Sequence, residues 1–169
     1  MIRLLGAALV AAGGAFLGFQ AAEGLRRRGR AVRQTAEGLA VLERELELTA
    51  PPLSQLLDRG AAHSRGPAQA LFQGCARGLA ALDREDFAAL WERLTGGLEE
   101  LDPAGRAVLA PLGDTLGRCG ADRQREVLSA ARRRLEELAA RLEEDSRRQG
   151  RVCQALGLSG GAFLVILLL

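Results

Sequence analysis

Residues 31–52 read AVRQTAEGLAVLERELELTAPP, and this stretch decides the fold class. Core-type positions recur in it at alternating intervals of three and four residues: Val32, Thr35, Leu39, Leu42 and Leu46. That spacing places the five side chains on one face of an α-helix. The pair Pro51–Pro52 ends the helix, because the residue before a proline avoids the α-helical conformation. The stretch therefore predicts an amphipathic helix over about residues 26–48.

A second stripe with the same spacing lies near the other end of the chain. It comprises Leu128, Ala131, Leu135, Leu138 and Leu142. It predicts a last helix over about residues 123–148, with Asp122 as its cap. Turn signals between the two stripes predict further helices at about 53–62, 68–82, 87–101 and 103–117, and no strand-like alternation appears. The fold class is therefore all-α, a bundle of about six helices.

Uncharged apolar segments lie on both sides of this bundle, at residues 4–22 and 152–169. Eighteen or nineteen helical residues span roughly 27–29 Å, about the thickness of the hydrocarbon core of a bilayer. The sequence therefore predicts two transmembrane helices, at 4–22 and 152–169, with a helical bundle over 23–151. Because both ends of the bundle adjoin a span, we expect the first and last helices to pair antiparallel.

Arginines flank both predicted spans on the side of the bundle. They are Arg26, Arg27, Arg28, Arg30 and Arg33 after the first, and Arg147, Arg148 and Arg151 before the last. Positive residues beside a span are retained in the cytoplasm, so we expect a cytoplasmic bundle with both termini outside. Arg3 and the small residues Ala21 and Ala22 also resemble a cleaved signal peptide. The arginines that follow oppose translocation and favour an uncleaved anchor.

Glycines at four-residue spacing occur in each predicted span, at Gly14 and Gly18 and at Gly157 and Gly161. Small residues at this spacing let membrane helices approach closely. They predict helix packing within the membrane, either inside one chain or in a homo-oligomer.

Composition argues against most enzymatic and nucleic-acid functions. The chain has 23 basic and 21 acidic residues, so its charges nearly cancel and we expect no nucleic-acid partner. It contains no Lys or Tyr, and its one His, His63, lies in a polar connection. A phosphate loop with its lysine is therefore excluded, and no nucleophile motif occurs. We expect no catalytic activity, no cofactor and no metal site.

The three cysteines, Cys75, Cys119 and Cys153, are odd in number and widely spaced. That pattern matches neither a disulfide framework nor a zinc site. A reduced, cytosolic setting for the bundle fits it, with the thiols buried or incidental.

Two features are candidates for contact with a partner protein. Phe87 and Trp91 are four residues apart and share a helix face, which is typical of a core pair. If Trp91 were exposed instead, it would be the best anchor, because Trp is enriched among binding hot spots. The run Arg132, Arg133 and Arg134 forms either a solvated face or a contact surface.

Three stretches of this chain form a pattern in their order and spacing. The first is residues 18–22, GFQAA, followed by the Arg-rich helix start. The second is LEREL at residues 42–46, followed by TAPPLS at residues 49–54. The third is LGDTLG at residues 112–117, followed by Gln124 and by Leu156–Gly157 in the apolar tail. This pattern resembles the stage III sporulation protein AB family of endospore-forming bacteria. One departure is Gly120, where the family usually has Asp; Asp122 is the nearest acid.

The resemblance implies a membrane platform in the secretion-like apparatus between mother cell and forespore. The family is similar to the inner-membrane platform protein of type II secretion and type IV pili, whose cytoplasmic domain is a six-helix bundle. The implied partners are a secretion-type ATPase of the same operon and other channel components, and the implied location is the mother-cell membrane around the forespore. A two-span scaffold or signalling protein without a secretion role fits the residues equally well.

Overall fold

The computed structural model describes the backbone of residues 2–80, 86–116 and 118–168, and side chains within residues 20, 23–80, 86–116 and 118–152. Seven helices are found in these ranges: α1 (Ile2–Leu48), α2 (Leu53–His63), α3 (Gly66–Ala80), α4 (Phe87–Gly96), α5 (Pro103–Leu109), α6 (Leu112–Thr115) and α7 (Ala121–Leu168). No strand occurs within the described ranges, so the predicted all-α class is confirmed.

The core follows the two stripes that the sequence predicts. On α1 all five stripe residues are buried, with Val32, Leu39 and Leu42 fully so. On α7 Leu128 and Leu135 are also fully buried, whereas Leu138 and Leu142 are half-buried. Among the short helices that follow α1 and precede α7 in the chain, α2 packs against α3, α3 against α4, and α4 against both α5 and α6. Each short helix thus adds its apolar face to the interior.

Two predicted helices are shorter than the sequence pattern indicates. α4 stops at Gly96, and the backbone N–H of Gly97 donates to the carbonyl oxygens of Arg93 and Thr95. Gly97 keeps α-helical dihedral angles (φ −78°, ψ −4°), and the low helix propensity of glycine favours an end of the helix here. The predicted helix over 103–117 is divided at Pro111, which has no N–H to donate and interrupts the helical ladder. With α5 and α6 counted as one interrupted helix, the described residues form the six helices predicted.

The start of the last helix also differs from the prediction. α7 begins at Ala121, one residue before Asp122, and the N–H of Gln124 donates to the carbonyl oxygen of Gly120. Asp122 therefore lies in the first turn and is not the capping residue. Its negative charge interacts favourably with the helix dipole there.

The connection between α2 and α3 packs closely against α1. Gly66 has a φ of +57°, a left-handed conformation that favours glycine, and a Cβ there would meet the side chain of Gln34. A Cβ on Gly38 would meet the Cβ of Ala68 in the same way. Glycine at these two positions lets the α2–α3 corner approach α1.

The chain divides into two compact units, one formed by residues 1–27 and 141–169 and the other by residues 28–140. Among the residues that the structure describes, no helix has a stretch both long and apolar enough to span a bilayer. Apart from Gln20 and Val152, the predicted spans over 4–22 and 152–169, with Gly14, Gly18, Gly157 and Gly161, lie outside the residues whose side chains are described. So does Cys153.

Candidate partner-binding surface

Arg132 joins the last helix to the first. Its Nε lies 3.0 Å from Glu43 Oε2 on α1, and its Nη1 lies 2.7 Å from Glu136 Oε1 one turn further along α7. The hydrogen bond to Glu136, followed by that to Glu43, raises the pKa of the Arg132 guanidinium. With 27% of its side chain exposed, Arg132 is committed to this internal network.

A second ion pair shows the direction of the two helices within residues 28–140. Arg125 Nη2 lies 3.7 Å from Glu47 Oε1. From the pair Arg132–Glu43 to the pair Arg125–Glu47, the residue number falls on α7 and rises on α1. That order is the one expected of antiparallel helices, so the predicted antiparallel pairing is confirmed in this unit.

Charged side chains also join α1 to α2. Arg59 Nη1 lies 2.8 Å from Glu45 Oε2 and 3.4 Å from Thr49 Oγ1. His63, the one histidine of the chain, is exposed and its Nδ1 lies 2.9 Å from the carbonyl oxygen of Arg59. The contact holds the ring against the last turn of α2.

An open groove of about 680 Å³, here called the α1 groove, lies next to these contacts. It is lined by Ala40, Val41, Glu43, Arg44, Glu45, Glu47, His63 and Arg132. Glutamates and Arg44 of α1, Arg132 of α7 and His63 of α2 thus share this groove with two small apolar side chains. Such a surface can donate hydrogen bonds to a charged protein segment and accept hydrogen bonds from it. Because charged groups would make this contact, its strength should fall as the salt concentration rises.

The three consecutive arginines predicted as a possible contact surface differ in exposure and in their ion pairs. Arg133 and Arg134 are exposed, and within the described part of the chain neither makes an ion pair. Successive helical residues are turned by about 100° from one another, so these two point away from the contacts of Arg132. Arg133 and Arg134 therefore remain candidates for contact, whereas Arg132 has its main partners inside the bundle.

Trp91 is a core residue and cannot act as an exposed anchor. Its side chain is fully buried, and its indole Nε1 donates a hydrogen bond to the carbonyl oxygen of Leu109 at 2.9 Å. The half-buried ring of Phe87 lies 6.0 Å from the Trp91 ring, tilted by 45°. The core alternative given by the sequence is the correct one.

The sequence does not predict a second, smaller groove. It encloses about 340 Å³ and is lined by Ala88, Glu92, Ala110, Pro111 and Asp114. The groove forms where α4 passes the interruption between α5 and α6. Only Pro111 marks this place in the sequence, and a proline alone does not indicate a groove.

The described cysteines differ in their surroundings. Cys75 is buried, and burial raises the pKa of its thiol to about 12, which keeps it protonated and unreactive near neutral pH. Cys119 is exposed. Within the described residues, no group of three or more His, Cys, Asp or Glu side chains is placed to hold a metal ion.

Comparison with known proteins identifies similar chains. The family profile described as "Stage III sporulation protein AB" matches residues 3–169. A solved structure titled "Stage III sporulation protein AB" is 24% identical in sequence and has a TM-score of 0.61, covering 72% of this chain and 97% of that one. This similarity supports the fold. No curated protein sequence gives a significant match.

Proposed function

Because the chain belongs to the stage III sporulation protein AB family, we propose that it is a membrane platform in the channel or secretion-like apparatus between mother cell and forespore. In this role it docks a cytoplasmic ATPase and turns over no substrate itself. The observation that carries the proposal is the family match over residues 3–169, which includes both apolar segments and the bundle.

The proposed location follows from the order of charged and apolar segments. Residues 4–22 and 152–169 would anchor the chain in the mother-cell membrane around the forespore, with both termini outside. The bundle would then lie in the cytoplasm, where an ATPase is accessible. Two anchors would keep the bundle close to other membrane components and raise its effective concentration for them.

The proposed contact with the ATPase is the exposed part of α7 that carries Arg133 and Arg134. These two guanidinium groups are exposed and have no ion pair within the described residues, so they can pair with acidic groups of a partner at little cost. On another face of α7, the network of Glu43, Arg132 and Glu136 joins α7 to α1 and so fixes the position of the helix that carries them.

The test is an affinity pull-down of the tagged full chain from detergent-solubilised membranes of sporulating cells, with co-purifying chains identified by mass spectrometry. We expect a secretion-type ATPase and other channel proteins. Their absence under gentle cross-linking, with the bait intact, would contradict the platform role and favour a two-span scaffold with another partner.

Charge reversal tests the contact surface separately. We expect the double substitution Arg133→Glu and Arg134→Glu to reduce ATPase recovery by at least about tenfold, since repulsive charges replace attractive ones. The matched control is Arg65→Glu with Arg77→Glu, which makes the same charge change at two exposed positions on α2–α3 and α3. Equal losses in both variants would contradict the assignment of the surface.

A further inference from the structure

Exposed arginines gather where the charged parts of α1 and α7 meet the apolar segments. They are Arg26 and Arg27 on α1 and Arg147, Arg148 and Arg151 on α7, and all five are exposed. All five belong to the compact unit formed by residues 1–27 and 141–169. We refer to them as the arginine cluster. Each lies within about two helical turns of an uncharged segment of membrane length.

Acidic side chains of the described residues neutralise this cluster only in part. Arg27 pairs with Glu23 at 3.5 Å, but 76% of its side chain is exposed, so the pair is weak. Within the described residues, the other four make no ion pair. An acidic run precedes the α7 arginines, on the side away from residues 152–169, and consists of Glu143, Glu144 and Asp145. About 9 Å of helix separates Asp145 from Arg151, so positive charge dominates next to the apolar segment.

An exposed apolar side chain adjoins the cluster. Val152 is 52% exposed, directly follows Arg151 and lies one turn beyond Arg148. Arginines beside exposed apolar surface are suited to a membrane interface, where the aliphatic stem lies along acyl chains and the guanidinium reaches the headgroups. The planar guanidinium also forms two parallel hydrogen bonds with phosphate oxygens. Charge, exposure and position thus point to one kind of ligand.

We propose that the arginine cluster is a binding surface for the phosphate groups of anionic phospholipids. The inference rests on the membrane location proposed above, but it requires no ATPase. Clusters of several Arg or Lys residues immediately beside a membrane span attract anionic lipids, and each charge contributes to the attraction. The surface would enrich such lipids around the protein and hold the first turns outside the bilayer at a fixed depth.

The test measures lipid selection by the full chain in vesicles. The protein is reconstituted in phosphatidylcholine that carries a trace of spin-labelled phosphatidylglycerol or, in parallel, spin-labelled phosphatidylcholine. The electron paramagnetic resonance spectrum gives the fraction of each label immobilised at the protein surface. For the natural sequence we expect phosphatidylglycerol to be selected by at least about threefold, and the preference to fall towards one in molar salt.

Two variants with equal charge changes identify the residues. Gln at the five cluster positions (R26Q, R27Q, R147Q, R148Q and R151Q) is expected to abolish the selection. Gln at five exposed arginines of the other unit (R44Q, R65Q, R77Q, R133Q and R134Q) is expected to leave it unchanged. An equal loss in the two variants would overturn the assignment, because net charge alone would then explain it.

The outcomes separate this proposal from the proposed function. Insertion without preference for phosphatidylglycerol would overturn the lipid site and leave the platform role standing. Failure to resist carbonate extraction from either kind of vesicle would overturn the membrane location on which both rest. The salt dependence of the natural protein needs no variant, so a variant that fails to fold does not prevent a decision.

Discussion

The indole Nε1 of Trp91 donates a hydrogen bond to the carbonyl oxygen of Leu109. This bond replaces the backbone hydrogen bond that Leu109 lacks because α5 is interrupted. In a continuous helix the N–H of Gly113 would donate to Leu109. Here that N–H points to the carbonyl oxygen of Ala110 at 3.4 Å instead. A carbonyl group at a buried helix end needs another donor, and the only Trp of the chain supplies it.

Replacing Trp91 by Phe tests this bond. The substitution keeps an aromatic ring but leaves the Leu109 carbonyl without its donor, so we expect a loss of about 1–3 kcal/mol in the free energy of unfolding. Urea unfolding of the full chain in detergent micelles, followed by far-ultraviolet circular dichroism, gives the value. Phe87→Leu is the control, because Phe87 is only half-buried and donates no bond. A smaller loss for Trp91→Phe than for Phe87→Leu would contradict the role of the bond.

Gly113 provides a second test of the same packing. A Cβ at this position would lie 2.9 Å from Cδ1 of the fully buried Trp91 ring, closer than carbon atoms normally approach each other. We expect Gly113→Ala to destabilise the bundle by about 1–3 kcal/mol and to shift Trp fluorescence, because the ring must move. Gly96→Ala is the control, since no atom lies within 4 Å of a Cβ there. That helical substitution should be neutral or stabilising by up to about 1 kcal/mol, and equal effects would contradict the packing argument.

The parts of the fold that depend on local spacing were predictable, whereas contacts between distant segments were not. The stripe containing Leu39 and Leu42 indicates a buried helix face because helical periodicity is local. The early stop of α4 at Gly96 and the break at Pro111 are visible in the sequence only as weak signals. The ion pair of Arg132 with Glu43 joins residues 89 apart in sequence, which no pattern of spacing reveals. The candidate surface therefore could not be assembled from the sequence.

The alkaline stability of the protein should depend on Cys75. Burial raises the pKa of its thiol from 9.0 to about 12. Below pH 9 the thiol is protonated in both the folded and the unfolded state, so it adds no pH dependence to the free energy of unfolding. Between about pH 9 and 12 it ionises only in the unfolded state, so stability should fall by about 1.4 kcal/mol per pH unit. The absence of Lys and Tyr leaves few other groups to titrate in this range.

Urea unfolding at several pH values above 8 measures the slope. Cys75→Ala should lower the stability at neutral pH because it leaves a cavity, and it should also remove most of the alkaline slope. Cys119→Ser, at an exposed position, should retain the slope of the natural sequence. If the slope persisted unchanged in Cys75→Ala, another group would have to be responsible.

The pair of Arg132 with Glu43 should contribute measurable coupling between α1 and α7. Only 27% and 26% of the two side chains are exposed, and the geometry is that of a hydrogen bond as well as an ion pair. A double-mutant cycle with Arg132→Ala and Glu43→Ala should give a coupling energy of about 1 kcal/mol, the upper end for partly exposed pairs. Arg123 and Glu126, one turn apart on α7 and 62% and 67% exposed, form the control cycle, whose coupling should lie within experimental error. Since the same pair holds the helix that carries Arg133 and Arg134, breaking it should also weaken ATPase recovery, although neither side chain needs to touch the ATPase. Coupling no larger than in the control would mean that apolar packing alone holds α1 against α7, and that the α1 groove keeps its shape without these charges.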